Sequence, residues 1–200
     1  MELNNLENIR QFLNFESEDI FYHLQILIRK KDNPEIGSNS VVVKTYYITS
    51  INYLELKMNE IISLCKLHKA RAYINLNQRS FEKIAFHSLK KVTDCILNKD
   101  YKSIRKAYDS TCGKYSTGDK IWIIDADNHD ISYVNEIGEI IDLMKSSNEE
   151  KPNVIGYIPT KNGWHIITRP FNLKQFEPYT LEYQIDIQKN NPTILYLYND

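Results

Sequence analysis

The chain of 200 residues is short of cysteine, glycine and proline, carries no excess of either charge and has no long apolar run. Each shortage excludes something. Three cysteines, Cys65, Cys95 and Cys112, are odd in number and widely spaced. A disulfide framework or a zinc knuckle needs closely spaced pairs, so these are expected to be reduced core thiols. With six glycines and six prolines there is no Gly- or Pro-rich linker to divide the chain, and no internal repeat or low-complexity tract. No stretch approaches the roughly 18 apolar residues of a membrane helix. MELNNLENIR lacks the basic and apolar regions of a secretory signal. A cytoplasmic protein with no membrane partner is the expectation. The net charge of −1 withholds the basic excess common in phosphate binders. Basic residues cluster locally at Arg29-Lys30-Lys31, Lys66 to Arg71 and Lys102 to Lys106, and each run reads as a solvated face.

What remains is ordinary soluble composition, 42% hydrophobic and 26% charged, at a mass of 23.6 kDa, enough for one substantial core. IFYHLQILIRKK, NPEIGSNS and VVVKTYYI read as strand, turn and strand. Ser50 caps a helix whose Leu54, Met58, Ile61, Ile62 and Cys65 recur at helical spacing. RAYINLN reads as a strand, and Ser80 caps a second helix with Phe81, Ile84, Ala85, Leu89 and Val92 as its apolar stripe. A short helical or irregular stretch follows at 101–112. Beyond the YSTGDK turn come the strand IWIID, the helix VNEIGEIIDLMKSS, the strands VIGYIP and WHIITRP, and two last strands, YQIDIQ and TILYLY. The expected fold class is α+β in one unit, an N-terminal α/β portion (about 1–118) packed on a C-terminal mixed or antiparallel sheet portion (about 119–200).

Chemistry-bearing residues concentrate in the second portion. In IWIIDADN the strand period of two points Asp125 and Asp127 to one side. Two carboxylates held so close favour an oxygen-preferring divalent cation, Mg²⁺ or Mn²⁺, while the plainer reading is a strand ending in solvent. His129 and Asp130 read as exposed loop. In PTKNGWHIITRP, Gly163 permits a tight turn, Thr160 and Lys161 offer a hydroxyl and an ammonium, and His165 opens a strand on which Arg169 shares its face. Such groups suit a triphosphate. Asp186 interrupts an otherwise apolar strand between Ile185 and Ile187. An edge strand accounts for it, and so does a third metal-ligating carboxylate if that strand lies beside IWIID. Arg71, Tyr73, Asn75 and Asn77 fall on one face of RAYINLN, either as an open surface for template or nucleotide or as an edge in water.

The ordered motifs IWIIDAD, TKNGWHI and QIDIQKNN resemble those of the archaeo-eukaryotic primases and primase-polymerases, a group that includes the polymerase domain of bacterial end-joining DNA ligases. The likeness covers about 119–200. It implies an RRM-like second sheet in a primase-polymerase catalytic core, with Asp125, Asp127 and Asp186 as catalytic ligands of two divalent ions. It also implies that His165 contacts the nucleotide's phosphates, helped by Thr160, Lys161 and the backbone near Gly163. Trp164 departs from the smaller apolar residue of many relatives. The chain ends at Asp200, soon after the third motif, so a zinc module and a helical primer-binding domain are expected to be absent.

The function so implied is a nucleotidyltransferase that extends or initiates a nucleic-acid strand from nucleoside triphosphates. Its partners would be a DNA template and primer and other replication proteins. Rivals are a catalytically degenerate primase-like binding module and a metal-dependent phosphohydrolase or nuclease using the Asp125-Asp127 pair. High Ile, Lys and Asn usage points to an AT-rich genome, and the small free-standing form to a phage or mobile element.

Overall fold

A computed structural model describes residues 2–145 and 152–198. Alternating and β-branched apolar residues build a first sheet from β1 (Glu2–Asn4), β2 (Ile20–Arg29), β3 (Ser40–Ile48), β4 (Arg71–Ile74), β5 (Arg79–Ser80) and β10 (Thr193–Tyr198). Its order is β1-β10-β4-β2-β3, with β5 pairing on β2, and every pairing is antiparallel. The short helix α1 (Leu6–Arg10) follows β1. Helix α2 (Ile51–His68) is capped by the Ser50 side chain, which accepts from the Tyr53 N–H at 3.0 Å. It buries Leu54, Met58, Ile61 and Cys65 in the core of the first sheet.

The second sheet comes from β6 (Trp122–Ala126), β7 (Val154–Pro159), β8 (Trp164–Thr168) and β9 (Asp186–Gln188), in the antiparallel order β7-β8-β6-β9. Helix α5 (Ile131–Asp142) joins β6 to β7, and α6 (Leu173–Glu182) joins β8 to β9. This is the split βαβ arrangement, strand-helix-strand-strand-helix-strand with the two crossovers interleaved. One face of the sheet, Ile124, Ala126 and Ile166, packs on Val134, Ile137, Ile141 and Phe176 of the two helices. The other, Ile123, Ile158 and Ile167, joins the cluster that fills the first sheet. One continuous core therefore spans both portions.

Several expectations change. Both sheets are antiparallel throughout, so the N-terminal portion is α+β rather than α/β. TILYLY is not in the second sheet: as β10 it returns to the first, between β1 and β4. Five successive buried residues make it a central strand covered on both faces, which a continuous apolar run permits. Helix α6 has no counterpart in the sequence reading, because Pro178 sits inside it. The helix expected over 134–147 starts earlier, at Ile131 behind an Asp130 cap, and Ser146 and Ser147 lie outside the described residues.

Helix α3 (Phe81–Leu97), capped by Ser80, is rotated from its expected stripe: it buries Ile84, Ser88 and Cys95, while Ala85 and Leu89 are exposed. It packs on a 3₁₀ helix (Tyr101–Lys106) and α4 (Ala107–Lys114) instead of lying across a sheet, so a narrow face suffices. All three cysteines are free and buried, as expected. Among the described residues no helix is long and apolar enough to cross a membrane.

His23 on β2 is buried beside Tyr47, and its Nε2 has no hydrogen-bond partner among the described residues. Burial, reinforced by the Arg79 charge and opposed by Asp109, pushes its pKa down from 6.5 to about 4. The unfolded chain therefore takes up this proton first, so the stability held by neutral His23 is intact above pH 6.5 and drains away as pH falls towards 4. That loss is about 3 kcal/mol. His23→Leu should remove this share of the acid sensitivity. Melting temperatures of both proteins from pH 7 to pH 4 should diverge on the acid side, and parallel curves would refute the assignment.

Candidate functional site

The strand register brings the three motifs together. Asp125 on β6 stands opposite His165 on β8 and, on the other side, opposite Asp186 on β9. Directly opposed residues have Cβ atoms roughly 4.5–5.5 Å apart and share a face. That face carries Ile123 and Ile167 into the core, then two residues on presents Asp125 and His165 to a cleft. Asp127, Thr160 and Lys161 line the same cleft. From the first sheet come Arg29, Arg71 and Tyr73, and from the turn after β2 comes Lys31, so a basic wall faces an acidic one.

His165 is buried and both ring nitrogens face protein atoms: Nδ1 lies 2.8 Å from Thr193 Oγ1 and Nε2 lies 3.5 Å from Asp125 Oδ1. The imidazole thus orients Asp125 as well as lining the cleft. Burial pushes the Asp125 carboxyl up, but its interaction with His165 and the charges of Lys31 and Arg29 outweigh this and hold it below the usual value. The Gln188 amide donates to Oδ2 of Asp125 at 3.3 Å and to Oδ2 of Asp186 at 3.1 Å, spanning the opposed carboxylates. Among the described residues no three His, Cys, Asp or Glu side chains converge at metal-ligating spacing. The donor set at Asp125, Asp186 and the exposed Asp127 is nevertheless all carboxylate oxygen, the chemistry that Mg²⁺ and Mn²⁺ prefer.

Arg169 is not brought here. Lying beyond the far end of β8, roughly 13 Å from His165 at strand rise, it donates through Nη1 to the Pro152 carbonyl at 2.5 Å. Gly163 is also a spacer. A Cβ there would fall 2.1 Å from the Ala126 carbonyl oxygen and 2.4 Å from the Asn128 nitrogen. The 160–163 turn, closed by the Thr160 N–H donating to the Gly163 carbonyl at 2.8 Å, therefore packs directly on the backbone that carries Asp127. Trp164 faces away from the cleft with Ala126 and packs among the α5 and α6 side chains. Asp130 caps α5, its side chain accepting from the Ser132 N–H at 2.9 Å.

The polar run after β4 is neither an open surface nor a wet edge. Asn75, Asn77 and Arg79 are buried. Asn77 donates to the Ile121 carbonyl at 2.9 Å and accepts from the Ile121 N–H at 2.8 Å, like a strand partner at the entrance to β6. Asn75 donates to the Asn190 carbonyl at 2.7 Å, just past β9. Arg79, whose guanidinium pKa burial lowers to about 10, donates to the Cys112 and Asn77 carbonyls and to Asn190 Oδ1. Arg71 and Tyr73, on the same strand, do face the cleft; Arg71 pairs with Asp32 and Tyr73 accepts from Arg29 at 2.8 Å.

The sequence reading missed Arg29, Lys31 and Gln188 as site residues. The signal was present: Arg29-Lys30-Lys31 ends a ten-residue apolar strand, and Gln188 follows Asp186 at the strand period. The chain matches no family model, no curated protein and no solved structure.

Gly163→Ala should lower stability by about 1–3 kcal/mol, because the atoms it meets are backbone and cannot swing aside. At this length that is roughly 2–4 °C in Tm per kcal/mol, and an unchanged melt would contradict the close approach. Asn77→Ala leaves the Ile121 N–H and carbonyl without their partner and should cost about 1–3 kcal/mol. Amide exchange at Ile121 should quicken, a change that loss of a merely solvated side chain would not bring.

Proposed function

We propose that this protein is a primase-polymerase-like nucleotidyltransferase acting on nucleoside triphosphates. The observation that carries the reading is the alignment of Asp125 with His165 on one flank and Asp186 on the other, with Asp125 and His165 facing a wall of Arg29, Lys31 and Arg71. The RRM-like sheet implied by the motif resemblance is supported by the split βαβ strand order.

On this reading Asp125, Asp127 and Asp186 hold two divalent cations, which when bound lower the pKa of a primer 3′-hydroxyl and stabilise charge on the departing pyrophosphate. The chain's own groups do the rest. Arg29, Lys31 and Lys161 place positive charge where the triphosphate lies, and Thr160 offers a hydroxyl. Arg71 is less free, because Asp32 already neutralises it. His165, fixed by Thr193, holds the Asp125 carboxylate in one orientation. The Gln188 amide, which spans Asp125 and Asp186, would have to release these oxygens for a cation to take them. A DNA template and primer are the implied partners.

One observation favours a second reading, a nucleotide-binding module without turnover: the Gln188 amide already spans Asp125 and Asp186. Template-directed incorporation with Mg²⁺ or Mn²⁺ separates the two. The enzyme reading expects extension of a primed template, and Asp125→Ala should reduce it by more than the roughly 10–100-fold that losing an outer partner of a metal site costs. Folded protein that binds nucleoside triphosphate with metal yet extends nothing is the binding module. Folded protein that does neither ends both readings.

A further inference from the structure

The cleft at Asp125 does not end there. Past Arg29 and Gln188 it opens into a hollow of about 360 Å³ that reaches Ser40, and from Ser40 a wider trough of about 820 Å³ runs on between β3 and the 3₁₀ helix. Each is within or near the roughly 300–1,000 Å³ of an ordinary ligand site, so together they exceed what one nucleotide needs. The far wall is basic: Lys102, Arg105 and Lys106 all line it, and all three are exposed. In a 3₁₀ helix residues i and i+3 eclipse at about 6 Å along the axis, which stacks Lys102 and Arg105 on one side.

None of these three cations makes an ion pair or a side-chain hydrogen bond among the described residues, although Arg10, Lys44, Lys57, Lys66 and Arg71 all do. Asp109, the acid in the trough, is occupied by the Tyr47 hydroxyl at 2.5 Å. Tyr101, 61% exposed, stands next to Lys102. The surrounding segment 81–120 carries nine lysines and arginines against five acids in a chain whose net charge is −1. Unpaired cations along a groove that leads to the Asp125 cleft match the way charge follows the backbone in single-strand binding, and the exposed Tyr101 ring stands at the start of the same 3₁₀ helix, outside the trough lining.

We propose that this trough seats the single nucleic-acid strand that enters the Asp125 cleft, with Lys102, Arg105 and Lys106 on its phosphates. The direction of the strand rests on the nucleotidyltransferase reading, whereas the binding itself does not. The run of basic residues from Lys102 to Lys106 is then a contact surface, where the sequence alone suggested a solvated face.

The test is fluorescence anisotropy of a labelled oligothymidylate of about 15 nucleotides, near the site size of single-strand binders, titrated with the full chain at several salt concentrations. The triple variant Lys102→Ala, Arg105→Ala, Lys106→Ala should bind about tenfold or more weakly, and its salt slope should shrink by about 2, at roughly 0.7 per lost phosphate contact. A control triple of equal charge on the helix-covered sides of the two sheets, Lys57→Ala, Lys145→Ala, Lys174→Ala, should bind close to wild type. Melting curves show whether each variant is folded. Equal weakening by both triples, or none by the trough triple, overturns the proposal. Asp125→Ala keeps the two questions apart. Strand binding that survives in it, and that the trough triple loses, supports the trough even if nothing is ever incorporated. Incorporation by wild type with a trough triple that binds normally removes the trough and leaves the nucleotidyltransferase reading standing.

Discussion

The position of β6 between β8 and β9 is the constraint on which the rest depends. A strand flanked on both sides has its register fixed twice, and a slip of one residue would send Asp125 into the helix-covered face and Ile124 into the cleft. Ile124 is fully buried among α5 and α6 residues, so such a slip would put a carboxylate into an apolar core. The hydrophobic pattern of the second sheet therefore aims its polar residues, and Asp125, His165 and Asp186 meet because Ile123, Ile124, Ile166 and Ile167 cannot be placed otherwise.

That sheet still has to be set against the basic wall of the first. Here the buried polar run 75–79 does what apolar packing does not. Hydrophobic contacts have no direction, whereas Asn77 reads both backbone groups of Ile121 and Asn75 and Arg79 grip Asn190. The two grips fall just before β6 and just after β9, the strands that carry the opposed aspartates. Asn190 in turn donates to the Gly113 carbonyl at 2.9 Å, which ties α4 to the same point. Burying Arg79 is costly, and its carbonyl acceptors offset part of that cost.

Much of this was legible in the sequence where local pattern and tertiary packing agree. The β2–β3 hairpin, the Ser50 and Ser80 caps and the α2 stripe follow from periodicity and turn chemistry. The meeting of Asp125 with Asp186 across neighbouring strands was implied only by the motif resemblance, the residues alone leaving an edge strand open. What was not legible depended on partners distant in the chain. TILYLY carries no mark of which sheet it joins, since a fully buried strand suits either. Polar side chains in RAYINLNQRS look the same whether they face water or a backbone 44 residues away at Ile121. Gly163 looked like a turn glycine, and only the approach of Ala126 and Asn128 shows that it is also a spacer. Arg169 failed because the strand period shows a shared face but not the distance along it.

The electrostatics of the cleft explain why a pair of opposed carboxylates survives there. Like charges one strand apart repel, and the Gln188 amide answers with two N–H bonds but no net charge, so most of that repulsion remains. Arg29 at the end of β2 and Lys31 in the turn after it supply charge at longer range, enough with His165 to keep Asp125 ionised more readily than burial alone would allow. Asp186 is exposed, so water screens its share of the repulsion. The result is a site with negative charge at its carboxylates, positive charge at Arg29 and Lys31 across the gap, and Lys161 beside Asp127, with no ion pair joining these cations to these carboxylates among the described residues. The two signs are held apart by the fold where free side chains would collapse onto each other. A ligand that carried both a cation and phosphates would satisfy both walls at once, which neither a lone metal ion nor a lone anion can do.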